Sequence, residues 1–109
     1  GEAVLVLEIE ESACPPKRLL GDVCALALCD GVTASSDARR DALTSRTELW
    51  VCYPANPAGH QRERNACALG RLRESWRGSF PIGVRLVESD GPNSLAATVR
   101  AALCDWATR

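Results

Sequence analysis

Thr47-Glu48-Leu49-Trp50-Val51-Cys52-Tyr53, closed by Pro54, is the stretch on which the fold turns. Its aromatic and β-branched side chains, and the proline that stops it, predict a β-strand. Just beyond it, Asn56-Pro57-Ala58-Gly59 reads as a loop, with Pro57 suited to a first helical turn. From about Pro57 to Arg77 the residues Ala66, Leu69, Leu72 and Trp76 recur at helical spacing, which predicts an amphipathic helix ended by Gly78. Residues 80–87 (Phe-Pro-Ile-Gly-Val-Arg-Leu-Val) predict another strand. Pro81 and Arg85 favour an edge or near-edge place for it. After the turn Ser89-Asp90-Gly91-Pro92-Asn93, the stripe Leu95, Val99, Ala102, Leu103 and Trp106 predicts a closing helix.

Upstream the signals are shorter. Residues 3–9 (Ala-Val-Leu-Val-Leu-Glu-Ile) are apolar on both faces as far as Glu8, which predicts a strand central in its sheet. Pro15-Pro16 break it. Residues 22–29 (Asp-Val-Cys-Ala-Leu-Ala-Leu-Cys) end at Asp30-Gly31 and read as a second strand, a hairpin partner of the first; the alanines and leucines make helix the competing assignment. Ser35-Ser36-Asp37 resembles a helix start, with a helix expected through Ala38, Ala42 and Leu43 to about Ser45. The resulting order is β-β-α-β-α-β-α. The expected fold is α/β (or α+β): one layered domain over residues 1–109, a mixed four-stranded sheet with three helices on one or both faces.

At 109 residues the chain suits one domain with a real core. A hydrophobic share of 46%, a charged share of 25% and a net charge of −1 match an ordinary soluble protein and give no general attraction to nucleic acid or anionic membrane. No run is long and apolar enough to span a bilayer, and no signal peptide opens the chain. Methionine is absent, which suggests a piece of a longer protein or a processed form.

The compositional oddity is six cysteines: Cys14, Cys24, Cys29, Cys52, Cys67 and Cys104. Their spacing and the single histidine, His60, fit no zinc motif. Cys24 and Cys52 read as buried small hydrophobes on strands. Cys67 lies opposite Leu69 on its helix, beside Arg64 and Arg71, and Cys14, Cys29 and Cys104 sit where they are accessible. Filler thiols in a cytoplasmic protein are the expectation, with a secreted disulfide-supported domain as the alternative.

Chemistry is sparse. In an open α/β sheet ligands gather beyond the carboxyl ends of the strands. Two loops qualify, and Asn56, Gly59, His60 and Arg62 on one with Ser89, Gly91, Asn93 and Ser94 on the other could hold a phosphate or carboxylate. The same residue types are what caps and turns require, and neither loop carries a glycine-rich phosphate motif. His60 lacks a neighbouring nucleophile, since Cys67 is about two helical turns away, roughly 10 Å. Within the acidic start (Glu2, Glu8, Glu10 and Glu11), Glu8 and Glu10 alternate with Leu7 and Ile9, as in a strand that leaves the core for water. The arginines of the middle helix scatter around it, as on a solvated surface. Trp76 beside Arg73 and Arg77 is the best partner anchor, because Trp and Arg are enriched at interfaces.

The function expected is therefore a non-catalytic protein-interaction or regulatory domain of a larger protein. Its partner would be another protein or a second copy, with no cofactor, metal, membrane or nucleic acid and no assigned catalytic residue. The alternatives are an anion- or nucleotide-phosphate-binding module on the two loops, with or without enzymatic activity, and the secreted domain.

Overall fold

A computed structural model describes residues 1–12, 16–33, 39–76 and 84–109, apart from the side chains of Pro16, Ala27, Arg73, Ser75 and Trp76. In chain order the elements are β1 (Leu5–Ile9), α1 (Pro16–Leu28), β2 (Gly31–Thr33), β3 (Arg40–Ala42), β4 (Glu48–Pro54), α2 (Gly59–Trp76), β5 (Val84–Ser89) and α3 (Leu95–Ala107), the last preceded by a short 3-10 turn at Pro92–Ser94. The fold is mixed α/β with three helices, and five described strands divide between two sheets. One has the order β1-β4-β5, wholly parallel; the other is the antiparallel pair β2-β3. A single mixed four-stranded sheet does not form.

The strand at Thr47–Tyr53 is β4, shifted by one residue, and it is the centre of the molecule. Alternate side chains leave a strand on opposite faces. Leu49, Val51 and Tyr53 pack with Leu19, Val23 and Leu26 of α1 and Leu69 of α2. Trp50 and Cys52 pack on the other face with Val87, Leu95 and Val99. The parallel crossovers from β1 to β4 and from β4 to β5 put α1 and α2 on one face, and α3 closes the other. The stripe read for α3 is the one observed: Leu95 and Val99 are buried, and Ala102, Leu103 and Trp106 pack against them.

Residues 22–29 are not a strand, and no hairpin joins them to β1. Residues 22–28 complete α1, and Cys29 lies just past its end; the helix begins at Pro16, where the absent N–H is no loss at the first helical position. The apolar stripe is Leu19, Val23 and Leu26, at helical spacing, and it starts before Asp22. Leu28, which a strand over 22–29 would put on one face with Leu26, is 74% exposed. Two residues apart, side chains share a face of a strand but diverge by about 200° on a helix.

β1 is an edge strand rather than a central one. It is apolar on both faces because helices cover both, Val6 packing toward α1 and Leu5 and Leu7 toward α3. Covering both faces needs no partner on both edges. The edge place read for the last strand holds for β5, which runs Val84–Ser89; residues 80–83, including Pro81, lie outside the described residues. The helix expected from Ser35 to Ser45 is also absent where the chain is described. Its proposed start lies outside the described residues, and Arg40–Ala42 is β3. There a short pairing prevails over the helix propensity of the alanines. A Cβ at Gly31 would meet only the end of the Arg40 side chain, 2.7 Å from its Nε, and that exposed arginine can move aside. Beyond β2-β3, Ala3 N donates to Ala42 O (3.0 Å) and Ala42 N to Gly1 O (2.9 Å), so β3 flanks residues 1–3.

α2 begins at Gly59, with Pro57 in the loop before it. Its inward face carries Asn65 and Leu69, with Leu72 half-buried, while Ala66 is exposed. An apolar-only stripe passed over the buried asparagine. No described helix is long and apolar enough to cross a membrane.

Cys24, Cys29, Cys52, Cys67 and Cys104 are free thiols; Cys14 lies outside the described residues. Cys24 is half-buried on α1 rather than on a strand, while Cys52 is fully buried. Burial pushes the Cys52 thiol up, with Arg85 partly offsetting it. Native alkylation followed by mass spectrometry is therefore expected to modify Cys29, Cys67 and Cys104 readily and Cys52 only after unfolding. Equal labelling of Cys52 in the native protein would contradict the packing beneath α3.

Candidate functional site

The carboxyl ends of the strands are the first place to look. β4 and β5 lie side by side, and Ala55 N donates to Ser89 O at 2.8 Å. Their following helices leave toward opposite faces, the arrangement that opens a crevice in α/β sheets. The two loops are thus neighbours, as their sequence positions implied. Their polar side chains, however, are engaged locally. Asn56 Oδ1 accepts from Ala58 N (3.0 Å); Ser89 donates to Gly91 O (2.8 Å); Ser94 Oγ accepts from Gly91 N and donates to Gly91 O. Arg62 spends its charge on Glu88, at 2.9 Å. Gly59, His60 and Asn93 are exposed. Among Arg73, Trp76 and Arg77, the proposed partner anchor, the first two have side chains outside the description and Arg77 lies wholly outside it.

At the carboxyl end of β1 a different group forms. Glu8, Glu10 and Asp22 bring carboxylate oxygens within 4.8 Å of one another, and Arg18 lies 3.3 Å from Glu10. In the sequence Asp22 is only the first residue of the expected strand over 22–29; on α1 its carboxylate faces Glu10. A hydrogen bond with Asp22 holds the Glu10 carboxyl above the usual carboxylate range, with desolvation and the Asp22 charge adding and Arg18 opposing. Oxygen donors of this kind suit a hard cation, but three carboxylates alone do not make a site. What the cluster does have is a pH signature. Between the ordinary glutamate value and the raised native one, the folded protein binds more protons than the unfolded chain, so this contribution to stability falls as pH rises. Glu2 acts oppositely: hydrogen bonds from Thr44 and Arg46 lower its value, so its contribution is lost as pH falls. The difference between wild type and Glu10→Gln isolates the cluster. The variant is expected to gain melting temperature relative to wild type as pH climbs through that window, and a pH-independent difference would remove the acid pair.

The third feature is the outer edge of β1. Glu48 N donates to Val4 O and Glu10 N to Cys52 O, so the even-numbered residues of β1 turn their backbone groups toward β4. Leu5, Leu7 and Ile9 turn theirs outward, where no described strand pairs with them. β3 covers this edge only as far as Ala3. Val4 (64% exposed) and Ile9 (50%) stand along it. An open, apolar edge strand without proline is a template for another strand. The sequence carried the apolar run but not the missing neighbour, so this site was not legible in it.

The fold and this edge define a three-layer α/β protein in which, among the described residues, the β1 margin of the sheet is unpaired beyond Ala3. Comparison with protein-family models, with curated proteins and with solved structures gives no match to this chain.

Proposed function

We propose that the chain is a protein-interaction domain that takes up an extended segment by strand addition along the outer edge of β1. The observation that carries this reading is the row of outward backbone groups on Leu5, Leu7 and Ile9, flanked by exposed Val4 and Ile9. In strand addition the main chain supplies affinity, and alternate side chains supply specificity. Most edge strands are protected by charge, proline or a covering element, and β1 has none of these between Leu5 and Leu7 among the described residues.

A displayed library of extended peptides, selected on wild type and counter-selected on Leu7→Pro, tests this. The Leu7 N–H points away from β4, so proline there removes an edge donor while sparing the β1–β4 ladder. Peptides that bind wild type, slow amide exchange at Leu5, Leu7 and Ile9, and ignore the variant are the expected result. If every selected peptide binds elsewhere, strand addition fails.

The divergence of α2 and α3 from adjacent strand ends supports a second reading, an anion-binding module between those loops. Inorganic phosphate or a nucleotide would then raise the melting temperature, and Ser94→Ala would abolish the rise. The local bonds of Asn56, Ser89 and Ser94 weigh against it.

A further inference from the structure

We infer that the strand added to this edge is β1 of a second copy, laid antiparallel about a two-fold axis through Leu7; this rests on the strand-addition reading and names its partner. Two-fold pairing requires a strand complementary to its own reverse. About Leu7, Leu5 faces the second copy's Ile9, Leu7 faces its equivalent, and Ile9 faces the second copy's Leu5. All three are residues whose N–H and C=O point outward, so each pair exchanges two hydrogen bonds. An axis through Val6 would instead set Ile9 against Ala3, whose outer N–H is already bonded to Ala42. The register through Leu7 uses every open group and stops where β3 begins.

Side chains agree with that register. Leu5, Leu7 and Ile9 share the face of β1 turned toward α3, so the new cross-strand pairs are apolar against apolar, and half-exposed Ile9 gains a leucine neighbour. Charge selects the direction. The carboxyl end of β1 carries Glu8, Glu10 and Glu11 against Arg18. At the amino end Arg39, Arg40 and Arg46, all more than half exposed, balance Asp41, Asp30 and Glu2. Antiparallel pairing keeps the two acidic ends apart and lays each beside the other copy's charge-balanced amino end; parallel pairing would bring the acidic ends together. The result is one continuous sheet of six strands, with β4 and β5 of each copy outside the joined β1 strands.

Sedimentation of the full chain over a concentration series, with amide exchange at each concentration, tests the inference. A dimer is expected, with exchange at Leu5, Leu7 and Ile9 slowing as concentration rises. Ile9→Lys places a charge on an already exposed edge position and is expected to weaken association about tenfold or more while leaving the monomer folded. Leu7→Pro should abolish it. A chain monomeric throughout that still binds selected peptides at this edge overturns the second-copy inference and leaves strand addition standing. A dimer indifferent to Ile9→Lys, with fast exchange at the three amides, forms elsewhere and also overturns it. Absence of both dimer and edge-binding peptides removes the interaction reading itself.

Discussion

Trp50→Ala is expected to destabilise the protein by about 3–5 kcal/mol, the range for truncating a buried large aromatic. That is a large share of the roughly 5–15 kcal/mol that holds a domain folded. The indole is fully buried in the middle of β4, beneath α3. Trp106 meets it edge-on, with ring centroids 6.4 Å apart and planes at 85°. On its face the Arg85 guanidinium sits 4.6 Å from the centroid, delivered there by the β4–β5 register that pairs Trp50 with Arg85. Trp106 in turn donates its indole N–H to the Glu48 carboxylate. Removing the ring opens a cavity and strips the platform from a partly buried cation. The Trp50 N–H itself has no acceptor, so no hydrogen bond is lost with it. Trp50→Phe, which keeps a ring and deletes an unsatisfied donor, is therefore expected to cost far less, about 1.5 kcal/mol or below. Urea unfolding should show the midpoint falling for alanine with little change in slope. Equal losses for the two variants would mean that a phenyl ring does not replace the indole and that its full outline against Trp106 and Arg85 carries the effect.

Leu19→Ala is the second, at about 2–5 kcal/mol. Leu19 is fully buried where α1 meets β4, in the cluster with Val51 and Leu69. The informative companion is Leu28→Ala. As the last residue of α1 and 74% exposed, Leu28 is expected to cost no more than about 0.5 kcal/mol. A strand over 22–29 would place Leu28 on the same face as Leu26 and make the two equally costly. Denaturation of Leu19→Ala, Leu26→Ala and Leu28→Ala thus tests the helix directly. A Leu28→Ala loss as large as that of Leu26→Ala would restore the strand.

Elements whose local signals are long or strongly typed are legible in the residues alone. The aromatic, β-branched run before Pro54 is β4. The heptad-like stripe from Leu95 to Trp106 is α3, and the exposure of Cys67 follows from its angle on α2. In each, the side-chain period is enough to orient the element. Over 22–29 the periodicity was too short to separate strand from helix, and the stripe that decides it begins earlier, at Leu19. Which edge of β1 stays open is a matter of packing between distant segments, because an apolar strand records the helices above and below it and not the strands beside it. The same holds for the meeting of Asp22 with Glu10 and of Arg85 with Trp50. Such contacts are made by register and by helix docking between distant segments, and no local pattern in either segment contains them.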